Sequence, residues 1–187
     1  MNSNCQSPRE KSPSQSVCVL GLGLIGGSLL RRLTACGYPA FGWNRSTATV
    51  EQAAADGMDV SGDLPATLQR AAREDALLVV AVPLFAVPEL LAQIAEYAPQ
   101  CPLTDVVSVK VQVLRAVQEA GLAATYVGSH PMAGTENSGW GATDPSLFEN
   151  ATWVVMAGGA EAGAGRVREI SEAAGSVVVE TDPVSHD

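Results

Sequence analysis

Residues 17–46 read VCVLGLGLIGGSLLRRLTACGYPAFGWNRS, and the order of patterns within them decides the fold. Val17 to Leu20 is a short apolar, β-branched run that ends on Gly21. From Leu24 to Cys36, Leu29, Leu30, Leu33 and Cys36 return at helical intervals, and Gly37 offers a C-terminal stop. Ala40 to Trp43 reads as strand again. Glycines at 21, 23 and 26 therefore sit where a strand turns into a helix, the context in which a GxGxxG pattern binds a dinucleotide. Gly21 permits the tight turn, Gly23 lets backbone approach a pyrophosphate, and Gly26 allows helix and strand to pack closely. Leu24 and Ile25 open the helix, whose free N–H groups and positive dipole end favour an anion. The competing reading is that the three glycines only solve a packing problem.

Cofactor choice belongs at the end of the second strand, about 20 residues past the motif, where an acid would hold the ribose 2′-hydroxyl of NAD. That place reads Trp43-Asn44-Arg45-Ser46-Thr47, with no acid. A guanidinium flanked by hydroxyls suits a 2′-phosphate, since arginine pairs bidentately with phosphate oxygens. The expected cofactor is NADP, with NAD possible, held by Asn44, Arg45 and Ser46. Alternatively, Asn44 and Ser46 cap the next helix and Arg45 is a solvated charge.

Working outward, helices are expected at 47–56, 64–73, 87–97, 109–120 and 162–174, and strands at 76–82, 103–106, 125–127, 152–156 and 176–180. Val82 and Pro83 close the valine-rich strand and are expected to face the cofactor. A polar loop is expected from Pro131 to about Leu147. Short apolar runs alternating with helices predict an α/β fold, Rossmann-like and doubly wound, with a mostly parallel sheet covered on both faces. Residues 1–15, polar and rich in serine and proline, read as a disordered tail without a secretory signal's apolar core.

Composition narrows the partners. The chain has 187 residues, 47% apolar and 17% charged, with 11 Lys and Arg against 20 Asp and Glu, for a net charge of −9. That balance disfavours nucleic acid and anionic membrane surfaces. The longest uncharged apolar stretch, Ala76 to Pro88, is shorter than the roughly 20 residues a bilayer-spanning helix needs. Four cysteines without CxxC spacing, and only His130 and His186 to join them, argue against a metal site and for a reduced, cytoplasmic protein.

A second cluster follows the strands at 103–106 and 125–127: Asp105-Val106-Val107-Ser108-Val109-Lys110 and Gly128-Ser129-His130-Pro131-Met132-Ala133-Gly134. Ligands of doubly wound folds bind outside the carboxyl ends of the strands, so both segments are expected to face the glycine turn. His130 is suited to take a proton from a substrate hydroxyl while hydride leaves the same carbon. Ser108 can share that hydrogen bond, and Lys110 can balance a carboxylate. The plainer alternatives are a structural histidine, a helix-capping serine and a solvated lysine.

GLGLIGGSL, DVVSVK and GSHPMAGTENSGWGATDPSLFENATWVV together resemble the prephenate/arogenate dehydrogenase family of tyrosine biosynthesis, from about Val17 to the C-terminus. The resemblance implies oxidative decarboxylation of prephenate or arogenate with NAD(P)+. It implies that His130 polarises the ring 4-hydroxyl, that Ser108 contacts that hydroxyl and the histidine, and that Lys110 helps to hold substrate. Many members carry an acid where Asn44 stands. The family also has a helical, dimerising C-terminal domain. His186-Asp187 resembles its beginning, so residues 16–182 are expected to form the dinucleotide-binding domain and 183–187 the start of a truncated helical domain, with Asp187 on the substrate side and a homodimer for the full-length protein. Two other readings are another NAD(P)-dependent reductase of the same cofactor fold and a dinucleotide-binding module without catalysis.

Overall fold

The computed structural model describes residues 15–182. The first fourteen residues of the expected tail, and the expected start of a helical domain at 183–187, lie outside the described residues. Six strands, β1 (Val17–Leu20), β2 (Ala40–Trp43), β3 (Val60–Ser61), β4 (Leu77–Val80), β5 (Leu103–Asp105) and β6 (Tyr126–Val127), form an all-parallel sheet in the order β3-β2-β1-β4-β5-β6. Parallel neighbours need long crossovers. Five helices supply them or flank them: α1 (Leu24–Ala35), α2 (Thr47–Ala55), α3 (Leu64–Arg73), α4 (Val87–Tyr97) and α5 (Lys110–Glu119). A sixth, α6 (Glu161–Ala173), comes later in the chain. The expected doubly wound architecture is present, with its strand order reversing between β1 and β4.

The two faces of the sheet explain why its central strands are apolar at every position. Cys18 and Leu20 of β1, with Leu78 and Val80 of β4, pack against Leu68 of α3, Leu91 and Ile94 of α4 and Val117 of α5. Val17 and Val19, with Leu77 and Val79, pack against Leu29, Leu30 and Leu33 of α1 and Val167 and Ile170 of α6. Successive side chains of a strand point to opposite faces, so a strand buried on both sides loses the polar half of its alternation.

Besides the short edge strand β3, which the sequence reading does not include, two features differ from it. The strands at Thr152–Met156 (β8) and Val177–Thr181 (β9) do not extend the main sheet; they form a second sheet, β7-β8-β9, whose first member is Ser129–Pro131. That strand, β7, runs antiparallel to β8 and places His130 opposite Val154. Ser-His-Pro carries no local strand signal; the pairing with a strand more than 20 residues on creates it. Gly128 makes the corner between β6 and β7, where a Cβ would stand 2.8 Å from Met156 Cγ and 2.9 Å from the Tyr126 hydroxyl.

The segment expected as a polar loop is also pinned to the domain. Trp140, 4% exposed, joins the core beneath α1, and its Nε1 donates to Asp56 Oδ2 at 2.9 Å. The Arg31 guanidinium stacks 4.3 Å from the Trp140 ring centre and donates to Thr143 Oγ1 at 2.7 Å. The Asp144 amide donates to Ser28 Oγ at 2.9 Å.

Candidate functional site

Strand register brings the motifs to one edge. Leu20 pairs with both Trp43 and Val80, Val80 with Asp105, and Thr104 with Val127. The chain therefore leaves the sheet on the same side at Gly21, Asn44, Ala81, Val106 and Gly128. Gly21 has φ +108°, and a Cβ there would lie 2.5 Å from the Ala81 carbonyl oxygen and 2.9 Å from Val82 Cγ1. At Gly26 a Cβ would stand 2.0 Å from the Gly21 oxygen. Both positions are closed to any side chain.

Gly23 is different, because a Cβ would meet nothing within 4 Å. It is the N-cap of α1 with no side chain capping the helix. Open space over uncapped N–H groups, followed by half-buried Leu24 and Ile25, is the shape a pyrophosphate fits. Val82 is half-buried against Gly21, and exposed Pro83 starts the turn into Leu84–Ala86.

At the end of β2 the three polar residues divide their tasks. Asn44 caps no helix; its Oδ1 accepts from the Leu22 amide at 3.0 Å and so braces the glycine turn. Ser46 is the N-cap of α2 and accepts from the Thr49 amide at 3.3 Å. Arg45 is exposed and enters no ion pair among the described residues, whereas Arg31, Arg32, Arg70, Arg115, Arg166 and Arg168 all do. Arg45 follows the bracing Asn44 directly in the chain.

Ser108 is exposed in the loop between β5 and α5, and it does not cap the helix, whose N-cap is Val109. His130 is half-buried in β7. Lys110 departs from expectation. It is neither solvated nor presented outward for a substrate carboxylate, being 1% exposed and ion-paired with equally buried Asp105. Tyr126 donates to Asp105 Oδ1 at 2.6 Å. Burial, reinforced by the Asp105 charge, pushes the Tyr126 phenol far above its usual range, so it stays a neutral donor. Asp187 lies outside the described residues.

The model of the nucleotide-binding domain of prephenate dehydrogenase matches residues 39–180. The chain belongs to the prephenate dehydrogenase family. It is 31% identical over 153 residues to a prephenate dehydrogenase of Lactococcus lactis subsp. cremoris, an alignment covering 75% of this chain and 40% of that protein. Among solved structures it is similar to a provisionally assigned prephenate dehydrogenase of Corynebacterium glutamicum (TM-score 0.88, 47% identity, 94% of this chain and 58% of that one). It is also similar to a Synechocystis arogenate dehydrogenase (TM-score 0.80, 27% identity, 91% and 61%). The chain thus spans 40% to 61% of the length of these three relatives. The glycine turn precedes the residues matched by the family model, so its reading stands on the geometry above.

In this prephenate dehydrogenase family member Asp105, Tyr126 and Ser129, which no sequence motif singles out, gather around Lys110. A signal existed for Asp105: an acid closing an otherwise buried strand needs a cation, and Lys110 follows five residues later. Nothing local marks Tyr126 or Ser129.

Proposed function

We infer that this chain is the cofactor-binding part of an enzyme that oxidatively decarboxylates prephenate or arogenate, with NADP preferred and NAD accepted. The observation that supports the reading is that the open glycine turn, the Ser108 loop and the Gly128 corner leading to His130 leave β1, β5 and β6 from the same end of one sheet. Pyrophosphate would lie over Gly23 at the head of α1, walled by Val82 and Pro83, and a 2′-phosphate would reach Arg45. Bound there, NADP+ supplies the hydride acceptor.

His130 receives a hydrogen bond from the ring hydroxyl and draws its proton as hydride leaves the same carbon; Ser108 shares the hydrogen bond and holds the hydroxyl in line. The ring carboxylate departs as carbon dioxide, the electron pair left behind completes the aromatic ring, and the ring oxygen takes its proton back from His130. Aromatisation drives the reaction, so the side chains need only start it. In the same reading Asp187 stands on the substrate side, a longer protein forms the homodimer, and the setting is a reduced cytoplasm.

The test is NADPH formation with prephenate and with arogenate, using this chain and a longer one of relative-like length. His130→Asn should lower kcat by about 10² or more, as for loss of a general base, with NADP+ affinity near wild type. No turnover of either substrate by the longer protein overturns the reaction, and an unchanged kcat in the variant removes His130 from it.

A further inference from the structure

The reaction just described gives no task to the buried Asp105–Lys110 pair, each side chain 1% exposed. A buried ion pair is weak evidence for stability, because desolvation offsets much of the attraction unless the remaining donors and acceptors are also met. Here they are met from several elements. Asp105 Oδ2 accepts from Lys110 Nζ and from the Val107 amide at 3.0 Å, and Oδ1 from the Tyr126 hydroxyl at 2.6 Å. Lys110 Nζ also donates to the Ser129 carbonyl at 2.7 Å. The Ser129 hydroxyl in turn donates to the Asp105 carbonyl at 2.7 Å and accepts from Thr104 at 3.1 Å.

The connectivity leads to both catalytic candidates. The Asp105–Lys110 contact staples the two ends of a loop whose middle is Ser108. The Ser129 carbonyl belongs to the peptide plane that carries the His130 amide, so the same ammonium fixes the entry to His130. Two loops that meet the substrate are thus registered against each other by one buried charge pair, and the pair, being neutral overall, presents no net charge to a dianionic substrate.

We propose that Asp105 and Lys110 are positioning residues, which set Ser108 and His130 relative to each other and do not touch the substrate. This rests on the reaction proposed above for the roles of Ser108 and His130, and the test separates the two. Lys110→Met, Asp105→Asn and the double variant are compared with wild type in the longer protein. Each single change should lower kcat for prephenate about tenfold or more while KM for prephenate and Kd for NADP+ stay within about threefold, and the double variant should be at least about threefold faster than either single, because it leaves no buried charge unpaired. A rise of about tenfold in the prephenate KM at unchanged kcat for Lys110→Met, with the double variant no better, would make the ammonium a substrate contact and overturn the proposal. So would an unchanged kcat in all three.

A second readout needs no turnover. The chain has two histidines, so the imidazole carbon resonance of His130 is assigned by its loss in His130→Gln. It should shift in both single variants of the 187-residue chain and return toward wild type in the double; an unmoved resonance overturns the proposal. Wild type that turns over neither prephenate nor arogenate defeats the reaction alone, and the resonance still decides positioning. Where a single variant does not fold, the double variant carries the comparison: lowered kcat at unchanged KM, or a displaced His130 resonance, upholds positioning, and raised KM at unchanged kcat overturns it.

Discussion

Gly23 and Gly26 stand three residues apart and serve opposite needs, which a pair of substitutions separates. A methyl at Gly26 would overlap the Gly21 carbonyl at 2.0 Å and approach Ala81 Cβ at 2.8 Å. Gly26→Ala should therefore cost about 2 kcal/mol or more of stability, read by denaturant unfolding. At Gly23 the methyl meets only open space, and φ −74° suits any residue. Gly23→Ala should change stability by no more than about 1 kcal/mol, the difference between helix caps, yet weaken dinucleotide binding about tenfold by standing where the pyrophosphate is proposed to lie. Equal stability losses in the two would mean that both glycines are there for packing. Arg45, exposed and in no ion pair among the described residues, is the residue proposed above to meet a 2′-phosphate. Arg45→Ala should raise the Kd for NADP+ about tenfold or more and leave that for NAD+ nearly unchanged, since only one carries the charge lost to the arginine. Equal effects in a fluorescence titration would reject the selection.

Among elements, the segment from Pro131 to Leu147 looked like a polar loop and is held to α1 and the end of α2. Asp56 is its anchor: the Trp140 indole and then the Arg31 guanidinium hold its carboxyl below the ordinary value of 3.8. A carboxylate whose folded-state pKa is depressed stabilises the fold fully above its unfolded pKa, and that contribution disappears as pH falls through the folded value. Asp56→Asn should accordingly melt below wild type at pH 7, with the gap closing as acid takes the solution below the ordinary carboxyl value of 3.8 and through the depressed folded one. A gap in melting temperature that does not narrow in acid would show that the charge of Asp56 is not what anchors the segment. β7 teaches the same lesson: its three residues become a strand because β8 offers them an edge.

For the molecule as a whole, the groups read as holding a dinucleotide come from one sheet: the turn after β1, the end of β2 and the end of β4. Binding should therefore be complete in this chain, and calorimetric titration of the 187-residue protein with NADP+ should give one site per chain. No binding would mean that the edge is not closed within these residues. What the sequence determined by itself was the succession of strands and helices, the glycine turn and the candidate residues, because a helical or two-residue period and the stereochemistry of glycine act over a few neighbouring positions. That Asn44 braces Leu22, that Trp140 is core and that Lys110 is buried on Asp105 beneath Tyr126 and Ser129 was decided only in three dimensions. A side chain's partner and its access to solvent depend on what distant segments bring against it, and no local pattern carries that information.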